Sequence, residues 1–311
     1  MSFDPDDTLI GPAPDGYTGA VYRVRVRSEY VTANGIRFHL ETDGDGPLLL
    51  LLHGFPQTSY MWHKVMPALA ASGYRVVAPD LRGIGESGRP RRVRDYRLSI
   101  LGDDIAALVA ELGEERAHVI GHDWGGLVAW EVAFAHPEVV DRLVIVNAPP
   151  VQGWARTALT SPRQLGRSWY VFFFNLPWLP EWLVTRPRAM RQLLRLGQFS
   201  DGEIGVYRDA ISRPGAAWAG LAYYRALSRW FISDIRRLRG KKIASPTLII
   251  WGEEDPALGK ELTHHLDRYV RGPLRIEYVP DAGHWVIQDL PERFVELVTG
   301  FLAEDPLGRT P

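Results

Sequence analysis

Five leucines in succession, at positions 48–52, restrict the possible folds more than any other feature of this chain. Side chains on a strand point alternately to its two faces. A strand with no polar position must be covered on both, as in a parallel sheet with helices on each side. The rest of the chain has the matching rhythm. Helical spacing at 60–71 precedes a strand at 74–78, a helix at 101–112 and a strand at 117–120. A helix at 127–135 and a strand at 143–146 follow. Such alternation predicts a parallel sheet flanked by helices. Ahead of it, residues 1–20, rich in Pro, Gly and Asp, read as an irregular arm. Residues 22–27 alternate apolar and basic side chains like a strand. Asn34-Gly35 marks a hairpin turn, and 36–40 makes the return strand.

The rhythm stops near residue 148 and resumes with strands at 247–251 and 274–278 and a helix at 291–302. A helical insertion therefore divides one α/β domain: 1–147 and 241–311 are core, and 148–240 is a lid. The lid holds 14 Arg, no Lys and 5 acidic residues, a net of +9 against −10 for the remainder. It also carries 15 of the 34 aromatic residues. One reading is a basic lid packed on an acidic core; a sharper one adds an aromatic-walled pocket beneath it.

Composition excludes several classes. The net charge of −1 is unlike a dedicated nucleic-acid binder. Without cysteine there is no disulfide scaffold, thiolate metal site or catalytic thiol. The first seven residues are acidic and do not resemble a signal peptide. The most apolar stretch, 169–184, is broken by Asn175, Pro177, Pro180 and Glu181, so no bilayer span is expected. These points predict a soluble, cytoplasmic protein with no nucleic-acid or membrane partner; a homodimer is compatible with all of them.

Function centres on Gly121-His122-Asp123-Trp124-Gly125-Gly126, between a strand and a helix. Small residues on both sides of a central side chain allow a sharp turn that exposes it at the helix N-terminus. Here that side chain is a carboxylate. It needs no base to become a nucleophile and can form an ester by displacement at an sp³ carbon. The leaving group is then a halide or the oxygen of a strained ring. Asp is also common in turns and at N-caps, but the glycines on both sides favour the nucleophile.

With this motif the sequence resembles the α/β-hydrolase-fold epoxide hydrolases over nearly the whole chain after the N-terminal arm. The resemblance implies a mostly parallel eight-stranded sheet flanked by helices, with a helical cap inserted after strand six. It makes His284, in Ala282-Gly283-His284-Trp285, the base. Asp255 becomes its acid partner, ahead of Glu253 and Glu254. The loop Asn147-Ala148-Pro149 offers no carboxylate, so the acid position of some dehalogenases is vacant. The backbone N–H groups of Phe55 and Trp124 would form an oxyanion hole. His53, Pro56 and Trp285 would wall the pocket, with His53 and Pro56 shaping the turn.

Opening an epoxide needs a proton donor at the ring oxygen, and phenols stay protonated at neutral pH. The resembling family carries one Tyr in each of two lid helices, implying Tyr170, seven residues before Pro177, and Tyr224, directly before Arg225. Tyr223 competes with Tyr224, because neighbours on a helix point about 100° apart. The expected reaction is hydrolysis of a small-molecule epoxide by water to a vicinal diol, with no metal or organic cofactor. The alternative is a haloalkane or haloacetate dehalogenase using the same Asp123. Asp80, Arg82, Gly83, Gly85 and Ser87 are read as ordering a loop.

Overall fold

The computed structural model describes residues 26–304. The expected arm at 1–20 and most of the expected strand at 22–27 lie outside that range. The chain forms one eight-stranded sheet in the order β1-β2-β4-β3-β5-β6-β7-β8. The strands are β1 Arg27–Ala33, β2 Ile36–Asp43, β3 Leu48–Leu52, β4 Arg75–Pro79, β5 Ala117–His122, β6 Val140–Val146, β7 Thr247–Gly252 and β8 Leu274–Val279. The pairs β1–β2 and β2–β4 are antiparallel, and the others are parallel.

The leucine run is β3, and all five side chains are buried. Each such burial contributes about 1.5–3 kcal/mol. β3 lies between β4 and β5, so the chain leaves it toward one side of the sheet and returns on the other. The C-terminal ends of β3 and β5 thus flank a topological switch point, where an open α/β sheet leaves a crevice.

The hairpin forms at Asn34-Gly35, with φ of 44° and 72° and Ala33 opposite Ile36. This two-residue turn sets the register. The described strand is 27–33, and it takes up Arg27 at the end of the expected one. β1 is an edge strand with mostly exposed side chains, so its residues carry little apolar pattern. The expected helix at 60–71 is two pieces, a 3₁₀ turn Ser59–Trp62 and a helix Met66–Ala71. Pro67 has no N–H to continue a helix from upstream, but it is tolerated in a first turn.

Between β6 and β7 the chain is helical, from Val151–Thr160 through Trp169–Phe173, Leu179–Val184 and Pro187–Leu194 to the long helix Ala216–Leu238. Helix Asp201–Ser212 opens with a reciprocal capping box between Ser200 and Glu203. The buried face of Ala216–Leu238 includes Ala219, Gly220, Leu221, Ala222, Tyr223 and Tyr224. Its small residues let the helix sit close over the sheet: a Cβ on Gly220 would come within 2.8 Å of the Phe55 ring. Among the described residues no helix is long and apolar enough to cross a membrane.

Candidate active site

β5 ends at His122, and helix Trp124–Ala135 begins one residue later. The turn between them holds Asp123 at φ 51° and ψ −117°, a strained backbone for a residue with a side chain. The turn needs its glycines. A Cβ on Gly125 would stand 2.0 Å from the Leu52 carbonyl oxygen, and one on Gly54 would stand 2.6 Å from Cβ of Asp123.

The strained turn aims the carboxylate at the mouth of the sheet. The Phe55 N–H donates to Asp123 Oδ1 at 2.8 Å. Oδ2 faces His284 Nε2 at 3.6 Å, and the Asp123 side chain keeps 16% of its surface exposed. One oxygen is therefore held while the other is reachable. Burial opposes the charge on Asp123, but His284 and the Phe55 N–H keep its pKa below the usual carboxylate value. Trp124 opens the helix, where a backbone N–H has no carbonyl within the helix to bond.

His284 follows β8, and its Nδ1 lies 2.7 Å from Asp255 Oδ2. Asp255 is fully used. Its Oδ1 accepts from the N–H groups of Ala257 and Leu258, each at 2.8 Å. Its Oδ2 accepts from Asn147 Nδ2 at 2.7 Å as well as from His284. Burial disfavours the imidazolium of His284, but the Asp255 and Asp123 carboxylates outweigh it and raise the pKa to about 10.

Asn147 was not assigned a role from sequence. It sits at the end of β6 with φ 44°, where the loop was expected to be merely vacant. Its Oδ1 accepts from the Gly252 N–H at 3.0 Å, tying β6 to β7 while its Nδ2 steadies Asp255. The sequence signal was the lone polar side chain after a buried strand. His122 was passed over too. It is buried and donates from Nε2 to the His284 carbonyl at 2.8 Å. Burial, and then the charge of His284, lower its pKa to about 4, so it stays neutral.

Two phenols lie near enough to Asp123 to feel its charge. The Tyr170 and Tyr224 rings lie 6.2 Å apart, nearly perpendicular. Tyr224 packs edge-on against Trp124, Phe174 and Phe55. Burial, and then the charge of Asp123, push both phenol pKa values up, so both hold their protons at any physiological pH. Tyr223 points elsewhere. Its hydroxyl donates to the Arg82 carbonyl at 2.7 Å, which fixes it to the loop after β4.

The remaining expected residues fall into supporting places. His53 is buried; its Nδ1–H donates to the Gly54 carbonyl, and its Nε2 accepts from the Leu81 N–H, each at 2.9 Å. That pattern fixes one neutral tautomer, and burial lowers its pKa. His53, Phe55 and Trp124 also line a narrow cavity with Gly54, Leu81, Ile84 and Tyr223. Pro56, after a cis peptide bond, lines a second cavity with Thr58 and Ile211. Trp285 packs against His284, His122 and Phe199. Asp80 accepts from the Ser59 and Glu86 N–H groups and binds His39, and the Ser87 hydroxyl donates to the Asp80 carbonyl. Arg82 forms a buried pair with Asp104. This group orders the loop that carries Gly83 and Gly85.

Most of the chain is similar to known proteins. Residues 47–184 match the family described as the alpha/beta hydrolase fold. The chain is 37% identical over 285 residues to epoxide hydrolase 3 of Xenopus tropicalis, covering 88% of this chain and 76% of that protein. It is 34% identical over 285 residues to human epoxide hydrolase 4, covering 88% and 77%. Among solved structures it is similar to epoxide hydrolase A of Mycobacterium thermoresistibile, at 29% identity and TM-score 0.79, over 89% of this chain and 98% of that one.

Proposed function

This chain belongs to the epoxide hydrolases of the α/β-hydrolase fold, and on that premise we propose that it converts an epoxide to a vicinal diol through an ester on Asp123. Residues 148–240 act as a cap over core segments 1–147 and 241–311. In the first step Asp123 Oδ2 bonds to a ring carbon and the carbon–oxygen bond of the ring breaks. Tyr170 and Tyr224 bind that oxygen, and it leaves with a phenol proton. In the second step water adds to Cγ of Asp123 and gives a proton to His284 Nε2. Asp255 stabilises the imidazolium. The carbonyl oxygen under attack is Oδ1, and the N–H groups of Phe55 and Trp124 hold its developing charge. Collapse of this intermediate breaks the Cγ–Oδ2 bond; the departing alkoxide takes the proton from His284 and leaves as the diol, and the proton of the new Asp123 carboxyl returns to the phenolate.

A single observation carries this reading. A carboxylate has one oxygen held by a backbone N–H and the other turned to a His–Asp pair, near two protonated phenols. A dehalogenase would share the nucleophile, but haloalkane enzymes of this fold typically place Asn where Phe55 stands. The test is single turnover in isotopically labelled water. Label should appear in the Asp123 carboxylate; label in the diol alone overturns the ester. Halide release from haloalkanes without diol from styrene oxide would overturn the substrate.

A further inference from the structure

Among the described residues, seven of the fourteen exposed large apolar side chains fall within residues 169–183 of the cap. Trp178 is 73% exposed, Trp169 64%, Phe172 62% and Trp182 53%. Trp178 is held outward by a backbone at φ 48°, a conformation that costs a bulky residue energy and persists at sites with a use. Charge around the patch is mostly of one sign. Residues 151–200 contain seven Arg, no Lys and one acidic residue, Glu181. Glu181 is half-buried and paired with Arg225. Arg186 lies over the Trp182 ring at 4.5 Å, and Arg188 and Arg195 are exposed along and just after the next helix, where Arg191 is paired with Asp201.

The patch is joined to the site. Trp169 and Phe172 share the short helix of Tyr170. Aromatic contacts run inward from Trp169 through Phe173 and Phe174 to Tyr224. Exposed tryptophan beside arginine is the composition of a surface seated among lipid headgroups. A two-fold contact between two caps would instead press like charges together.

We propose that this cap face docks on an anionic lipid surface, with Trp178 and Trp182 among the headgroups and the arginines on lipid phosphates. It then takes epoxides dissolved in that lipid. Contact is peripheral, since no described helix spans a membrane. It departs from the expectation, drawn from sequence, of no membrane partner. The substrate half rests on epoxide hydrolysis; the docking half does not.

The test is flotation of the full chain with vesicles of phosphatidylcholine, with and without phosphatidylglycerol. Binding should require the anionic lipid and weaken at raised salt. The paired substitutions Trp178→Ser with Trp182→Ser, and Arg186→Gln with Arg188→Gln, should each weaken it about tenfold or more. Hydrolysis of a small water-soluble epoxide should be unchanged, while that of a long-chain epoxide held in vesicles falls. No binding to anionic vesicles overturns the proposal, as does equal binding by the tryptophan pair variant. An oligomer in sedimentation that the same substitutions dissociate overturns it too, assigning the face to a second copy. A protein that floats but hydrolyses neither epoxide overturns the reaction and leaves docking standing.

Discussion

Ester formation on Asp123 removes a negative charge beside His284, and the size of that effect decides whether the histidine can act as a base when it is needed. Nε2 and Oδ2 are 3.6 Å apart. At an effective dielectric of about 20, that attraction is about 4–5 kcal/mol, equivalent to about three pH units. In the free protein the imidazole holds its proton, with a pKa of about 10. Neutralising Asp123 withdraws one of the two anions that stabilise the imidazolium, while burial continues to disfavour it. The sign is therefore downward, and His284 should titrate about three pH units lower, close to neutrality. Asp123→Asn imitates the ester in size and charge. The assay is pH titration of the imidazole nitrogens by NMR in the native chain and in this variant. The His284 signal is identified by its loss in His284→Gln, and intact mass verifies that the introduced amide has not hydrolysed back to the acid. A His284 midpoint that stays where it is in the native chain refutes the reasoning. It would mean that Asp255 and the surroundings alone set the proton. The kinetic corollary is that ester hydrolysis rises through neutral pH, as His284 in the ester loses its proton.

Five other substitutions probe separate contacts. Tyr170→Phe and Tyr224→Phe should each slow the ring-opening step about a hundredfold or more in single-turnover measurements. Tyr223→Phe should keep turnover and lose only about 1 kcal/mol of stability with its bond to Arg82; equal kinetic losses at 223 and 224 would contradict this. Asn147→Ala leaves both Asp255 and the Gly252 N–H short of a partner. It should cost about 1–3 kcal/mol in urea unfolding, and an unchanged midpoint would deny Asn147 its role. Gly125→Ala sets a methyl group against the fixed Leu52 carbonyl, with an expected loss of about 3 kcal/mol or more. A soluble variant with native melting behaviour would show that the elbow is less tightly packed than described.

What the sequence determined by itself was local in origin. The leucine run has no polar face, so it had to be an interior strand, and β3 is that strand. Glycines around Asp123 permit the close approach of strand and helix, and Asn34-Gly35 sets the hairpin, because both depend on backbone freedom within a few residues. The positions matched to the family as nucleophile, base and acid were likewise visible as short motifs, and the structure brings Asp123, His284 and Asp255 together.

Tertiary structure decided whatever depends on elements far apart in the chain. Tyr223 and Tyr224 are adjacent, and only the rotation of helix Ala216–Leu238, set by its buried face, turns one to Arg82 and packs the other against Phe55 and Phe174. Asn147 and Asp255 are 108 residues apart, and they meet because β6 and β7 are neighbours in the sheet. The aromatic surplus of the cap could be counted in the sequence but not divided between wall and surface. That division follows from which helix faces find a partner to pack on, leaving Phe174 inside against Tyr224 and Trp178 outside in solvent.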